Sequence, residues 1–356
     1  MEKERIVVGI THGDINGISY EIILKTFADG AMLEQMIPVI YGSPKVAAYY
    51  RKVFDIQGIN FNVINTINEL NPRKVNIINV VSDEIKVEIG LQTAEAGAAA
   101  YLALERATDD LKQGYIDALV TAPINKKNIQ SDKFNFPGHT EYLQNKFGSG
   151  NAGLMLLVND VMRVAVATGH IPVEQVSKAL TTDLIFRKIQ QLNRSLVEDF
   201  SITRPRIAVL GLNPHAGDNG VIGSEEENII IPALKLAADK GIVCVGPYSA
   251  DGFFGSGQFK KFDGILAMYH DQGLIPFKTI SMENGVNFTA GLPIIRTSPD
   301  HGTAYDLAGK NLASEESFRH ALYAAVDVYH SRANYKAMTA NPLKIEHRAE
   351  QGGRIE

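Results

Sequence analysis

The chain has 356 residues, a formal net charge of -5 and no cluster of lysines or arginines, so neither nucleic acid nor a membrane surface is expected as a partner. This length is large for one hydrophobic core and suits two α/β lobes with a cleft between them. The one cysteine, Cys244, lies in an apolar run and excludes a disulfide within the chain. With no signal-peptide pattern and no apolar span of about 18 residues, the sequence predicts a cytoplasmic protein.

The N-terminal part of the sequence alternates between short β-rich runs and helical patterns. Strands are predicted at residues 6–10, 38–41, 75–81 and 117–122, and helices at 18–27, 44–53 and 93–112. This alternation predicts a mainly parallel sheet that helices cover on both faces. The turn at 11–17 has neither a GxGxxG pattern nor a P-loop lysine, so a tight connection and a ligand-facing loop are equally open.

The later part of the sequence adds an antiparallel element. Residues 154–158 and 162–168 alternate around Asn159-Asp160, which predicts a hairpin that serves the second lobe or a dimer contact. Further elements are predicted as helices at 182–200, 226–240 and 315–336 and as strands at 206–212, 243–247 and 264–269. The stretch 263–309 is expected to carry five polar residues in loops that flank short apolar runs: His270, Lys278, Asn287, Arg296 and His301.

Three of the nine histidines share one context. His170, His215 and His270 each follow a predicted strand, beside glycine, proline or aspartate. In a fold whose strand ends converge, three such residues indicate a three-imidazole metal site with open coordination positions. Separate structural histidines remain the alternative, because the three are too far apart in sequence to form a local motif.

A second group of residue types suits a phosphate ester. Lys278 and Arg296 bracket the polar Asn287, and an arginine fork beside a lysine point charge binds phosphate well. His139 and Thr140 begin a predicted helix, where free backbone N–H groups attract anions. Ordinary surface charges, with Thr140 as a simple helix cap, remain the alternative.

The stretch 299–309, PDHGTAYDLAG, resembles the HGSAPDIAG-type loop of the isocitrate and isopropylmalate dehydrogenases, which lies against the adenosine half of NAD. Other stretches add to this likeness: GHTEYL, ATGHIPV, LGLNPHAGDNGVIGSEE, GPYSADGFF, YHDQGLIPFK and GVNFTAGLPIIRTS. Together they resemble the 4-hydroxythreonine-4-phosphate dehydrogenase family over nearly the whole chain, in the family's order.

The resemblance implies an α/β fold with two αβα lobes, like that of the isocitrate and isopropylmalate dehydrogenases, with a mainly parallel sheet and an antiparallel hairpin segment. Residues 1–125 and 300–356 would form the first lobe, on the cofactor side. Residues 126–299 would form the second lobe, with the metal and substrate residues and the dimer contacts. The implied assembly is a homodimer with its active site at the subunit interface.

The resemblance also implies the roles of individual residues. Substrate contacts would come from His139, Thr140, Lys278, Asn287 and Arg296. NAD would contact Gly302, Thr303 and Asp306. A divalent metal would be held by His170, His215 and His270, with zinc as the first choice and magnesium or cobalt as alternatives. A preference for NADP instead of NAD stays open.

The implied reaction is NAD-dependent oxidation of 4-phosphohydroxy-L-threonine at C3 and loss of its carboxylate, which gives 3-amino-2-oxopropyl phosphate in pyridoxal 5'-phosphate biosynthesis. The metal would act as a Lewis acid at the C3 hydroxyl. The proton acceptor stays open among Asp251, Asp271 and Lys126. Two alternatives remain: a dehydrogenase of D-threonate or D-erythronate 4-phosphate, and a catalytically silent protein that binds a metal and a phosphorylated ligand.

The sequence departs from the family pattern in two places. The usual first turn, GDPAGIGPE, is GDINGISYE at residues 13–21, and the usual NPHAGE ends in Asp218. Both changes leave the expected metal and phosphate residues intact. They are expected to act on cofactor contacts or substrate preference.

Overall fold

The computed structural model describes residues 5–28, 30–148, 153–280 and 283–341. Its strands are β1 (Ile6–Thr11), β2 (Met36–Gly42), β3 (Phe61–Ile64), β4 (Val75–Asn79), β5 (Ala118–Thr121), β6 (Leu154–Val158), β7 (Arg163–Val166), β8 (Arg206–Leu210), β9 (Val243–Tyr248), β10 (Gly264–Ala267), β11 (Val286–Ala290) and β12 (Arg296–Pro299). Residues 342–356, at the end of the predicted first lobe, lie outside the described ranges.

Helices connect and cover these strands. They are α1 (Ser19–Phe27), α2 (Met32–Gln35), α3 (Pro44–Val53), α4 (Ala94–Lys112), α5 (His139–Phe147), α6 (Val173–Ala179), α7 (Thr182–Glu198), α8 (Ile231–Asp239), α9 (Ala250–Gly255), α10 (His270–Ile280) and α11 (Glu316–Thr339). None of the helices in the described ranges is both long and apolar enough to cross a membrane.

The strands form one sheet in the order β3-β4-β2-β1-β5-β12-β11-β6-β7-β10-β8-β9. Its two flanks are parallel, whereas β11 pairs antiparallel with β12 and β6, and β6 pairs antiparallel with β7. The predicted mainly parallel sheet and the β6–β7 hairpin are therefore confirmed. The antiparallel position of β11 between β12 and β6 was not predicted. The two lobes stay a prediction, since this one sheet runs through both.

Buried apolar side chains on both faces hold the sheet between its helices. The strands β5, β10 and β12 are buried at every residue, as expected for strands that helices cover on both sides. Helix α11 packs against β5, β11 and β12 and buries Phe318, Ala321 and Leu322. Cys244 is half-buried and unpaired on the edge strand β9.

Several local predictions within 263–309 were wrong. His270 and Lys278 lie in helix α10, and Asn287 and Arg296 lie on β11 and β12; of the five polar residues, His301 alone stays in a loop. Gly273 and Pro276 are usual helix breakers, which is why the sequence favoured a loop. Burial of Leu274 and Phe277 outweighs that local preference.

The predicted helix at 226–240 was also wrong in detail. Its first part, Glu226–Ile230, is a π-helical turn, and regular α-helix begins only with α8. Glu226 is buried and accepts hydrogen bonds from the backbone N–H groups of Leu212 and Asn213 at 2.7 and 2.8 Å. Glu226 therefore orders the loop that carries His215.

His12, the residue after β1, connects the end of this strand to α1 and α4. Its side chain is fully buried, and its Nε2–H donates to the carbonyl of Ala99 at 3.1 Å. A carbonyl can only accept, so Nδ1 carries the lone pair that accepts from the Tyr20 hydroxyl at 2.9 Å. Burial, by desolvation, lowers the pKa of His12 to about 4.

The buried His12 predicts a loss of stability in mild acid. The unfolded chain takes up a proton at this residue near pH 6.5 and the folded chain only near pH 4, so stability falls as the pH drops through this window. The shift corresponds to roughly 3 kcal/mol. The free energy of unfolding, measured with urea across this pH range, should fall less steeply with falling pH in His12→Gln than in wild type. The control His320→Gln on α11 should keep the wild-type pH dependence. An equal pH dependence in His12→Gln and wild type would contradict the assignment.

Candidate active site

A cavity of about 300 Å³ opens at the antiparallel centre of the sheet. Its floor is one face of that centre, because Leu157, Asn287 and Ser298 are direct cross-strand neighbours on β6, β11 and β12. All three line the cavity, as do Met155 and Arg296, each two residues along its strand and thus on the same face. The walls come from the segment after β5, the start of α5, and α10.

Arg296 is the deepest charge in this cavity. It is 4% exposed, and its guanidinium donates to the hydroxyls of Thr121 at 2.7 and 3.1 Å and of Thr289 at 3.2 Å. Burial lowers its pKa to about 10, which leaves it cationic at neutral pH; Glu141 opposes this shift. No carboxylate in the described ranges forms an ion pair with Arg296. Its charge is therefore poorly compensated by the protein.

His139 adds a neutral donor beside that cation. Burial, then the charges of Arg296 and Lys126, hold its pKa well below the usual range. Its Nδ1 accepts from Arg296 at 3.2 Å, so the proton is on Nε2. Nε2 is buried and has no hydrogen-bond partner within the described protein. An unpaired buried donor costs free energy, which suits a position that a ligand completes.

Two further polar groups face the same cavity. Asn287 Oδ1 is buried without a partner in the described ranges. Lys278 Nζ lies 3.3 Å from Asp300 Oδ1, and burial raises the pKa of Asp300 above its ordinary value despite this pair. Thr140, the second residue of α5, also lines the cavity. All five expected substrate residues are thus brought together.

Two of the three expected metal ligands meet at this cavity. His170 and His270 follow β7 and β10, and their ring centroids are 5.7 Å apart. His215 follows β8, the next strand in the sheet, but lines a separate cavity of about 750 Å³ together with Asp251 and Asp271. Over the ranges that the structure describes, no three His, Cys, Asp or Glu side chains are close enough together to hold a metal ion.

The donor set nevertheless has features that fit a divalent metal. The three histidines follow adjacent parallel strands, β7, β10 and β8, at one edge of the sheet. His270 Nδ1 lies 2.7 Å from Asp271 Oδ1, which leaves its Nε2 free for a metal. A carboxylate behind a histidine is the usual way in which proteins orient such a ligand.

Of the three expected cofactor residues, Gly302 lines the cavity, and Thr303 and Asp306 follow it in the same loop. Gly302 and Asp306 are exposed. Thr303 is half-buried, and its carbonyl accepts from Ile18 N at 3.1 Å. Of the three proton-acceptor candidates, Lys126 lines this cavity, whereas the two aspartates line the cavity of His215.

Comparisons with known proteins identify the family of this chain. The model of the family described as pyridoxal phosphate biosynthetic protein PdxA matches residues 34–325. A 4-hydroxythreonine-4-phosphate dehydrogenase of Bacteroides thetaiotaomicron is 56% identical over 347 residues, 98% of this chain and 95% of that protein. The chain belongs to the PdxA family.

Other members of the PdxA family share the whole fold. The crystal structure of 4-hydroxythreonine-4-phosphate dehydrogenase from Klebsiella pneumoniae matches with a TM-score of 0.81 at 34% identity, covering 92% of this chain and 99% of that one. A protein of Oceanobacillus iheyensis, provisionally named a D-threonate 4-phosphate dehydrogenase, is 37% identical over 92% of this chain and 98% of its own length. The predicted family and fold class are thereby confirmed.

Sequence reasoning missed two contributors to the PdxA cavity. Thr121 supplies the acceptor for Arg296, but a threonine that ends an apolar strand looks like an ordinary core residue. Glu141 lines the cavity as an acid among cations, and its position in the GHTEYL stretch was the only signal.

Inorganic phosphate should stabilise this protein through Arg296. A buried cation without a carboxylate partner gains most from a bound dianion, and phosphate at about 100 times its Kd adds roughly 2.7 kcal/mol. A thermal-shift titration, with chloride at equal ionic strength, measures this as a rise in Tm. Arg296→Met should lose the rise, and the exposed control Arg187→Met should keep it. An equal rise in Arg296→Met would place the anion elsewhere.

Proposed function

We propose that this chain is an NAD-dependent dehydrogenase that oxidises 4-phosphohydroxy-L-threonine at C3, with loss of the carboxylate to give 3-amino-2-oxopropyl phosphate in pyridoxal 5'-phosphate biosynthesis. The observation that carries this proposal is the buried Arg296, which has no ion-pair partner within the described residues, in a cavity that also contains Lys126, Lys278 and the neutral donor His139. Such a set suits a phosphate ester more than a neutral sugar or a cation. The relative at 56% identity supports the particular substrate.

The protein's own residues act mainly by binding and orientation. Arg296 presents a planar fork to the phosphate, and Lys278 adds a point charge from α10. His139 donates from Nε2 without carrying a charge of its own. Fixing the phosphate at this end holds the reacting carbon at a constant distance from the cofactor loop, which lowers the entropic part of the barrier.

His170, His215 and His270 would hold a divalent metal, with zinc the first candidate. A bound divalent cation supplies Lewis acidity at the hydroxyl that is oxidised and at the carbonyl that results. The adjacent strand ends and the Asp271–His270 contact support this assignment. His215 would reach the other two histidines only if the loop after β8 shifts or the dimer closes.

NAD would accept the hydride at the rim of the cavity. Gly302, Thr303 and Asp306 would bind it, because their loop borders the cavity and presents Gly302 to it. An exposed carboxylate at Asp306 suits a ribose 2'-hydroxyl and disfavours the 2'-phosphate of NADP.

We further infer a cytoplasmic homodimer with the active site at its interface. Helix α10 exposes Ile275 at 62% and Ile280 at 43% beside the cavity of His215. Exposed apolar side chains that border a cavity are typical of interaction surfaces. A partner subunit on this face would cover His215 and exclude water from it. The unpaired Cys244 suits a reducing compartment.

A second candidate is a dehydrogenase of D-threonate or D-erythronate 4-phosphate. It keeps the phosphate contacts and the chemistry, and the relative from Oceanobacillus iheyensis at 37% identity favours it. The candidate substrates differ at C2, where 4-phosphohydroxy-L-threonine carries an ammonium group and the two sugar-acid phosphates carry a hydroxyl.

NADH formation should separate these functions. The purified protein with 4-phosphohydroxy-L-threonine and NAD should give NADH that a chelator abolishes and zinc restores, while D-threonate 4-phosphate should react at least about tenfold less well. His270→Ala should lose both activity and bound metal, measured by elemental analysis, and the control His320→Ala should keep both. NADH from D-threonate or D-erythronate 4-phosphate alone would establish the second candidate; no NADH from any of the three substrates would refute both dehydrogenase proposals.

The dimer should depend on the apolar face of α10. Ile275→Glu places a charge there and should convert the dimer to a monomer of 38.9 kDa with activity reduced at least about tenfold. Size-exclusion chromatography with light scattering gives the mass. The control Leu312→Glu changes an exposed leucine outside this face and should leave the dimer intact. A dimeric Ile275→Glu would place the interface on another surface.

A further inference from the structure

The first turn, residues 13–21, contains a fully buried carboxylate. Asp14 Oδ2 accepts from the Tyr305 hydroxyl at 2.7 Å and from Asn128 Nδ2 at 2.8 Å, and Oδ1 accepts from Asn16 N at 2.9 Å. No lysine or arginine of the described ranges pairs with it. Neutral donors from three separate segments therefore satisfy this charge.

Asn16 connects the same turn to a fourth segment, residues 88–93. Its side chain donates to Leu91 O at 2.9 Å and to Thr93 Oγ1 at 3.0 Å, and accepts from Glu88 N at 2.8 Å. Its carbonyl accepts from Gly90 N at 2.8 Å. Asn16 stands where the family usually has alanine, so this chain builds side-chain bonds that the usual turn does not.

The segment 88–93 in turn packs against the loop after β12. A Cβ at Gly90 would lie 3.2 Å from Tyr305 O, and one at Gly309 would lie 2.8 Å from Ile89 Cγ2. There is accordingly no free space between the two segments at these points. The position of one fixes the position of the other.

The first turn also contacts the loop after β12 directly. A Cβ at Gly17 would lie 2.6 Å from Thr303 O, which already accepts from Ile18 N. Asp14 N donates to Pro123 O at 2.8 Å, and Pro123 and Gly302 both line the substrate cavity. The buried network thus ends at the rim where hydride transfer would take place.

We propose that Tyr305 is a positioning residue for NAD. The hydrogen bond from its hydroxyl to Asp14 holds Gly302, Thr303 and Asp306 in the arrangement that binds NAD. This inference rests on the proposed NAD-dependent function. Asn16 supports the arrangement from the opposite side through residues 88–93. The altered first turn therefore acts on cofactor binding and leaves the phosphate end of the site unchanged.

The hydroxyl of Tyr305 acts as a fixed donor in this arrangement. Burial, together with the carboxylate of Asp14, raises its pKa far above the ordinary value, so it stays protonated. Tyr305 does not line the substrate cavity. Its effect on the reaction is transmitted by the loop that carries it.

Removing that hydroxyl should weaken NAD binding selectively. Tyr305→Phe is expected to raise the Kd for NAD, measured by calorimetry without substrate, about tenfold, as a hydrogen bond to a charged group is worth roughly that factor. At saturating NAD, kcat and the KM for 4-phosphohydroxy-L-threonine should stay within about twofold. The matched control is Tyr41→Phe, because the Tyr41 hydroxyl likewise donates to a buried carboxylate, at 2.8 Å, but that carboxylate is Asp110 on α4 and not Asp14. It should leave the Kd for NAD unchanged.

A second variant tests the pair itself. Asp14→Asn keeps the size of the side chain, and the double variant with Tyr305→Phe should bind NAD no more weakly than the weaker single variant. If Tyr305→Phe does not fold, the Kd of Asp14→Asn for NAD serves as the test. A wild-type Kd in Tyr305→Phe, or fully additive losses, would refute the positioning role while the dehydrogenase proposal stands. No NAD binding by wild type would instead overturn both.

Discussion

The substrate cavity depends on the register of the antiparallel centre of the sheet. Asn287 is paired with Leu157 on one side and Ser298 on the other, and this pairing places the polar side chains on one face. In a strand, successive side chains point to opposite faces, so a slip of one residue would turn Asn287 and Arg296 away from the cavity. A parallel sheet alone would place functional groups only beyond its strand ends. The antiparallel strands let β11 and β12 contribute side chains from within the sheet.

Burial of Arg296 makes the cavity suitable for an anion, but it lowers the stability of the empty protein. Removing a guanidinium from water is unfavourable unless its donors are satisfied, and Thr121, Thr289 and His139 satisfy several of them without neutralising the charge. A carboxylate in their place would stabilise the empty protein but would compete with an anionic ligand. The site therefore binds an anion better at the expense of lower stability in the empty protein, as is common at functional sites.

The sequence predicted the parts of the site that depend on strand ends. His170, His215 and His270 follow apolar runs that end at Gly, Pro or Asp, so their common edge of the sheet was predictable. The side chains of β11 and β12 were wrongly placed in loops, because their strand pairing joins segments far apart in the chain. The bond between Arg296 and Thr121 spans 175 residues, and nothing local in either segment signals it. Long-range register is set by packing of the whole sheet, which one sequence does not reveal.

The departures from the family's first turn show how a local change is absorbed by tertiary structure. Ser19 donates to Pro123 O at 3.2 Å, and the Tyr20 hydroxyl accepts from Ser43 N at 2.8 Å, so both replacements are bonded to other segments. Together with Asn16 they exchange a turn of small residues for one held by buried polar contacts. Such a network holds its shape only while every member is satisfied, because an unpaired polar group at low dielectric is costly. Each replaced residue is thus held by a different neighbouring segment, and Asn16 is the one that bonds residues 88–93, which pack against the loop of Tyr305.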